Sequence, residues 1–193
     1  MASDGTFDPM ADLLAEQEAR PADLIPVDPT ELSPFQRSLL VIDGTVTKFI
    51  EAYCLEPVEV TVLAQEDKVL DRPSTWLDAP AGCAVISRQV VLRGAQSGRL
   101  YAYAASRLVH DRLPSFLREQ LMQDPHGIGH ILLESRLETF REVLWFGREA
   151  AMEAPPTPLA SWSGQPWLSR AYRIFAARRP LMVIKEMFPF VDQ

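Results

Sequence analysis

Two spacings of apolar residues divide the chain into helical and extended stretches. From 31 to 52, apolar side chains recur at helical spacing and Asp43-Gly44 interrupts them, which predicts two consecutive helices. From Pro57 to Gln65 the spacing changes to every second residue, as is typical of a half-buried strand. Similar patterns predict strands at about 82–93, 99–109, 136–148, 168–176 and 180–188, and short helices at about 114–121 and 128–133.

These elements predict an α+β fold, with a single antiparallel sheet of about six strands and helices flanking one side. The strands are joined mostly by short turns, which favours a meandering antiparallel order. Residues 1–30 are acidic and are interrupted by prolines, so we expect a flexible N-terminal leader, followed by one domain at 31–193. A second cluster of prolines predicts a loop at 153–166.

Two charged residues lie on strand faces that are otherwise apolar. The side chains of a strand alternate between its two faces. Arg88 shares its face with Ala84, Ile86, Val90 and Leu92, and Glu186 shares its face with Met182, Ile184 and Phe188. Because an unpaired charge costs several kcal/mol to bury, both residues require partners.

Two interpretations of this pattern stay open at the level of the residues. The first is a structural ion pair between Arg88 and Glu186. The second is a closed pocket for a charged ligand, in which Arg88 neutralises a carboxylate with its fork of donors. Glu186 would then supply a carboxyl group whose protonation is tuned by burial, as acid–base chemistry requires.

Composition narrows the range of partners. The net charge of -7 and the pI near 5.0 argue against a nucleic-acid surface, although one arginine still suffices for a small anion. The sequence has no basic and apolar signal segment and no apolar run of about 18 residues, which predicts a soluble cytoplasmic protein without a membrane partner. Cys54 and Cys83 are far apart, so we expect reduced thiols and no zinc site.

Several short segments together carry a resemblance to a known family. They are Asp43-Gly44-Thr45-Val46-Thr47-Lys48, Arg88-Gln89-Val90-Val91-Leu92, Asp111-Arg112-Leu113-Pro114, Gly127-Ile128-Gly129, and Tyr172-Arg173-Ile174 followed by the stretch 179–189. In this order and spacing, the chain from about Leu32 to Pro189 resembles the chorismate pyruvate-lyase (4-hydroxybenzoate synthase) family.

The resemblance implies an activity and a site. The family removes pyruvate from chorismate and leaves 4-hydroxybenzoate, with no metal and no organic cofactor, in a pocket that helical flaps enclose. On this resemblance the essential arginine is Arg88, the essential glutamate is Glu186, and backbone groups of Val46 and Ile128 contact the ligand. Chorismate and its aromatic product are then the expected partners, and a monomer is the default expectation. The family's further arginine, on the strand that corresponds to about 100–109, has no counterpart at the matching place, which leaves the anchor of the second carboxylate unassigned.

The sequence leaves two alternative functions open. The fold is also used by the effector-binding domains of some transcription regulators, so a non-catalytic small-molecule-sensing domain is one alternative. A lyase that makes a different aromatic acid from chorismate is another.

We favour solvated strand charges over outer ligand anchors for Arg170 and Arg173. His126 and His130 are four residues apart, but the glycines around them favour loop histidines over a metal site.

Overall fold

The structure is a computed structural model, and it describes residues 7, 8, 10, 12–123, 127–150, 159 and 162–190. Its helices are α1 (Pro34–Val41), α2 (Val46–Cys54), α3 (Ser115–Gln123) and α4 (Ile128–Ser135), none of which is long and apolar enough to cross a membrane. Its strands are β1 (Val58–Val69), β2 (Ala84–Gly94), β3 (Leu100–Val109), β4 (Thr139–Glu149), β5 (Trp167–Ala176) and β6 (Arg179–Pro189). Most of the predicted proline loop at 153–166 lies outside the described residues.

All six strands form one open antiparallel sheet in the order β1-β2-β3-β6-β5-β4, which confirms the predicted α+β class. β5 and β6 are joined by a tight hairpin through Ala177 and Arg178, whose φ angles are 48° and 61°. Two successive residues with positive φ give the turn a twist that matches the flanking strands. The long-range pairing of β3 with β6 then joins the two halves of the sheet and sets Ala104 opposite Glu186.

The first two helices begin and end where local chemistry dictates. Ser33 and Gln36 form a capping box at the start of α1, with Pro34 in the first helical position. Ile42 is extended and ends α1, and α2 then starts after Thr45. The interruption at Asp43-Gly44 therefore separates two helices, as predicted.

β1 is longer than the alternation of its residues predicts. The expected strand ends at Gln65 because charged residues follow, yet Asp67 and Lys68 pair with Ile86 and Val85 of β2. β1 is an edge strand, so its charged side chains can face solvent while its backbone hydrogen-bonds to β2. The sheet partner decides the length of this strand, and a partner is invisible in a local pattern.

The four helices pack against one face of the sheet, as predicted. Two apolar clusters show this: Leu117, Leu121, Ile131 and Leu132 contact Ile86, Leu108 and Met182, while Leu39, Leu40, Val46 and Ile50 contact Leu92, Ala102 and Phe188. The sheet residues of both clusters share the face of Arg88 and Glu186. The opposite face is covered by loop residues that include Trp76 and Trp162. Arg88 and Glu186 therefore project into the helical layer.

Described residues of the N-terminal segment, for which the composition predicts a flexible leader, contact the domain. Among its described residues, Met10 and Leu24 are buried, and Leu14 and Ile25 form bridges with β4. β4 is the second edge strand of the sheet, so its free backbone groups and apolar neighbours offer this segment a place to pack. The described part of the segment lies along the domain, and the boundary at residue 30 stays a prediction.

Candidate active site

A cavity lies between the helical face of the sheet and the first residues of α2 and α4. Its empty space, with the open mouth included, is about 620 Å³. The four residues that the sequence singled out, Arg88, Glu186, Val46 and Ile128, all line it. Most of the rest of its wall is apolar and includes Val60, Val90, Leu92, Ala104, Leu132, Ile174 and Ile184. Such a wall suits a flat ring with polar groups at its edges.

Arg88 lines the cavity from β2, and its guanidinium contacts β1 and the end of α3. It is 2% exposed, which confirms that it points into the core. Its Nη1 donates to Gln65 Oε1 at 2.6 Å and to the Leu121 carbonyl at 3.2 Å. The Gln65 amide donates in turn to the same carbonyl at 3.1 Å. These contacts hold the guanidinium in one orientation at the cavity wall.

Glu186 lies on β6 and is buried, as its strand position predicts. Its ion pair is with Arg170 on β5, whose Nε donates to Oε2 at 2.8 Å, so a structural pair between Arg88 and Glu186 is not formed. The hydroxyl of Tyr172 donates to the other oxygen, Oε1, at 3.0 Å. Burial, together with the charge of Glu186, raises the pKa of Tyr172, which keeps the phenol protonated as a donor.

Arg170 corrects an expectation of the sequence. It is 2% exposed rather than solvated, because it lies opposite Glu186 in the sheet and on the same face. Its Nη1 also donates to the carbonyls of Leu40 and Ile42, at 3.2 and 3.1 Å. Arg173 lies on the opposite face of the same strand and pairs with Glu142. Arg170 therefore ties Glu186 to the end of α1, and Arg173 takes no part in the cavity.

Two helices begin at the cavity. Val46 is the first residue of α2 and Ile128 the first of α4, and neither helix has a side-chain cap at this end. The first N–H groups of a helix have no acceptor within the helix and carry a partial positive charge. A Cβ added to Gly129 would lie 2.5 Å from Thr45 Cγ2, so the two helix starts approach closely because residue 129 is glycine. Helix starts of this kind favour an anion, and the expected backbone contacts of Val46 and Ile128 with the ligand stay a prediction.

The cavity wall also contains Arg141 and Tyr172, which the sequence reasoning did not place in the site. Both lie on the helical face, Arg141 on β4 and Tyr172 on β5. The alternation that identified Arg88 would have marked Arg141 and Tyr172 if the predicted strands at 136–148 and 168–176 had been assigned to faces in the same way. That they line the same cavity as Glu186 follows only from the order of the strands.

The remaining candidates from the sequence are histidines and cysteines. His130 lies 3.7 Å from Glu134, and His126 is outside the described residues. Within the described part of the chain, no group of three or more His, Cys, Asp or Glu residues could hold a metal ion. Cys54 and Cys83 are both free thiols, as expected.

Comparison with known proteins places the chain in a family. The sequence model described as "Chorismate pyruvate-lyase Rv2949c-like" matches residues 40–193. A relative from Mycobacterium leprae (strain TN), named chorismate pyruvate-lyase, is 28% identical over 160 residues, which cover 79% of this chain and 72% of the relative. A relative of the same name from Mycobacterium tuberculosis (strain ATCC 25618 / H37Rv) is 27% identical over 165 residues, which cover 79% of this chain and 78% of the relative.

Solved structures show the same fold at low sequence identity. PhnF from Mycobacterium smegmatis superposes with a TM-score of 0.58 at 15% identity, and the match covers 77% of this chain and 65% of that one. The effector domain of PhnF gives a TM-score of 0.52 at 11% identity, covering 86% of this chain and 91% of that one. At these identities the likeness concerns the fold alone. The family match spans most of the residues that build the cavity, and the chain therefore belongs to the Rv2949c-like chorismate pyruvate-lyase family.

Proposed function

We propose that this protein removes pyruvate from chorismate and releases 4-hydroxybenzoate. The observation that carries the proposal is the convergence of Arg88 and Glu186, from separate strands, on one cavity that two helix N-termini also face. Family membership supports the choice of chorismate as the substrate class. The cytoplasmic location and the monomeric state stay predictions of the sequence.

The proposed binding mode follows from the charges at the cavity wall. Chorismate has a carboxylate on its ring, a hydroxyl on the opposite side of the ring, and an enolpyruvyl ether beside that hydroxyl. The ring carboxylate would bind Arg88 and the N–H groups at Val46 and Ile128, since a guanidinium and helix N-termini both favour an anion. The ring hydroxyl would then lie at Glu186, and the apolar wall would enclose the ring.

The chemistry that the site must promote is an elimination without net redox change. The bond between the ring and the ether oxygen breaks, and the ring carbon that bears the hydroxyl loses its hydrogen as a proton. The electrons of that C–H bond complete the aromatic ring. The released enolpyruvate takes up a proton at its methylene carbon and becomes pyruvate. Because aromatisation drives the reaction, the protein mainly has to orient the dianion, exclude water and handle protons.

In the proposed reaction, Glu186 would handle the proton or orient the hydroxyl. Arg170 and Tyr172 each donate to a different oxygen of its carboxylate, so the carboxylate has a fixed direction. A fixed carboxylate beside the ring hydroxyl can accept a hydrogen bond from that hydroxyl and stabilise positive charge that develops there. We expect Arg88→Ala to abolish substrate binding and Glu186→Gln mainly to lower turnover.

One assay tests the proposal and its alternatives. Purified protein is mixed with chorismate, and pyruvate and the aromatic product are followed by chromatography. Equal amounts of pyruvate and 4-hydroxybenzoate support the proposal. A different aromatic acid would identify the protein as a lyase that makes that acid from chorismate. Binding of chorismate without turnover would favour a sensing domain, the alternative that the fold of PhnF and its effector domain suggests.

A further inference from the structure

Arg141 reaches the same cavity from β4, the edge strand at the other end of the sheet from β1. It lies on β4 and pairs with Ile174 of β5, and its side chain is 18% exposed. Its Nη1 donates to the Asp43 carbonyl at 2.9 Å. Its Nε is buried and has no hydrogen-bond partner among the described residues. Arg141 therefore lines the cavity and has one buried donor for which the described residues supply no acceptor.

The ion pair with Asp43 neutralises the charge of Arg141 only weakly. Asp43 Oδ1 lies 3.8 Å from Nη1, and the Asp43 side chain is 80% exposed. An ion pair of that length with an exposed partner is screened by water and contributes little. A buried N–H without an acceptor is costly in contrast, and a ligand oxygen would remove that cost.

Arg88 and Arg141 stand on either side of Glu186. β3, β6 and β5 separate their strands, and four strand spacings amount to on the order of 19 Å between backbones in a flat sheet. Two long side chains that reach inward from this distance can hold a molecule between them. A ligand with one carboxylate would use one arginine, whereas a ligand with two carboxylates could use both.

We propose that Arg141 binds the second carboxylate of the substrate, which chorismate carries on its enolpyruvyl group; this rests on the proposed function. Arg88 then holds the carboxylate that stays with the aromatic product, and Arg141 holds the one that leaves with pyruvate. The assignment supplies the anchor that the sequence left open. It also predicts that the product, which keeps only one carboxylate, loses the contact with Arg141.

The test compares two ligands on the same variants. Chorismate is assayed by steady-state turnover and by calorimetry, and 4-hydroxybenzoate by calorimetry alone. We expect Arg141→Gln to raise KM and Kd for chorismate by about ten- to a hundredfold, since hydrogen bonds to charged groups have that strength. The affinity for 4-hydroxybenzoate should stay unchanged. Arg88→Gln should weaken the binding of both ligands.

Two further variants separate binding from folding. Arg141→Lys keeps the charge but loses the planar fork, so it should recover part of the chorismate affinity. Arg148→Gln removes an arginine from the same strand that stacks on Phe190 outside the cavity, and it should leave both affinities unchanged. Thermal unfolding of each variant shows whether it is folded. If Arg141→Gln is unfolded, the comparison is made with Arg141→Lys.

The outcomes also distinguish this inference from the proposed function. An Arg141→Gln protein with unchanged chorismate affinity, or with equal losses for chorismate and 4-hydroxybenzoate, overturns the role of Arg141. If the wild-type protein binds chorismate without turning it over, the proposed reaction fails, while the calorimetric comparison still decides the role of Arg141. Wild-type protein that binds neither ligand overturns both.

Discussion

The buried pair of Arg170 and Glu186 allows a quantitative prediction that does not depend on any ligand. We consider the substitution Arg170→Met, which keeps most of the apolar stem and removes the guanidinium. The change deletes the 2.8 Å ion pair and the donors to the carbonyls of Leu40 and Ile42. It also removes the guanidinium 5.0 Å above the Tyr172 ring. The buried carboxylate of Glu186 then keeps the Tyr172 hydroxyl but loses its counter-charge.

The expected loss follows from the burial of both partners. Their side chains are 2% and 10% exposed, so water screens the pair very little. Removing one partner of a buried ion pair destabilises a protein by about 3–5 kcal/mol, because the other charge is left uncompensated. For a chain of this size, each kcal/mol lowers Tm by about 2–4 °C, which gives a decrease of roughly 6–20 °C.

Urea unfolding followed by circular dichroism measures the loss, and a double-mutant cycle assigns it to the pair. The double variant with Arg170→Met and Glu186→Gln should be less destabilised than the sum of its single variants, with a coupling of about 1–3 kcal/mol. Arg173→Met is the matched control, because its ion pair with Glu142 is more exposed. Equal losses for Arg170→Met and Arg173→Met, or zero coupling, would refute the reasoning.

Three shorter predictions follow from other contacts. Tyr172→Phe removes a donor at 3.0 Å from a buried carboxylate and should destabilise the protein by about 1–3 kcal/mol in urea unfolding; no change would contradict this contact. Gly129→Ala should weaken 4-hydroxybenzoate binding in calorimetry, since the new methyl group clashes with Thr45 Cγ2. Thr45→Ser in the same chain removes that methyl group and should restore part of the affinity; no recovery at all would point to another cause. Hydrogen bonds, chiefly from Tyr101, lower the pKa of Glu56 from 4.5 to about 2, so its contribution to stability is present above pH 4.5 and lost towards pH 2. As the pH falls from 4.5 to about 2, the free energy of unfolding of the wild-type protein should therefore decrease relative to that of Glu56→Gln. Parallel pH profiles of the two proteins would argue against this contribution of Glu56.

The sequence alone was sufficient for the order of elements, the α+β class and the burial of Arg88 and Glu186. These follow from local rules, because the spacing of apolar residues sets helix or strand and alternation along a strand sets the face of each side chain. The rule needs only one strand at a time. It therefore identified a charge on an apolar face without any knowledge of neighbouring strands.

The partners of those charges were decided by the tertiary structure. Arg170 faces Glu186 because β5 lies beside β6, and Arg141 reaches the cavity because β4 closes that side of the sheet. Likewise, β1 extends past Gln65 because β2 pairs with it, and the N-terminal segment packs because β4 leaves an open edge. Strand order and edge pairing depend on contacts between residues far apart in the chain, and no local pattern of apolar and polar positions encodes them.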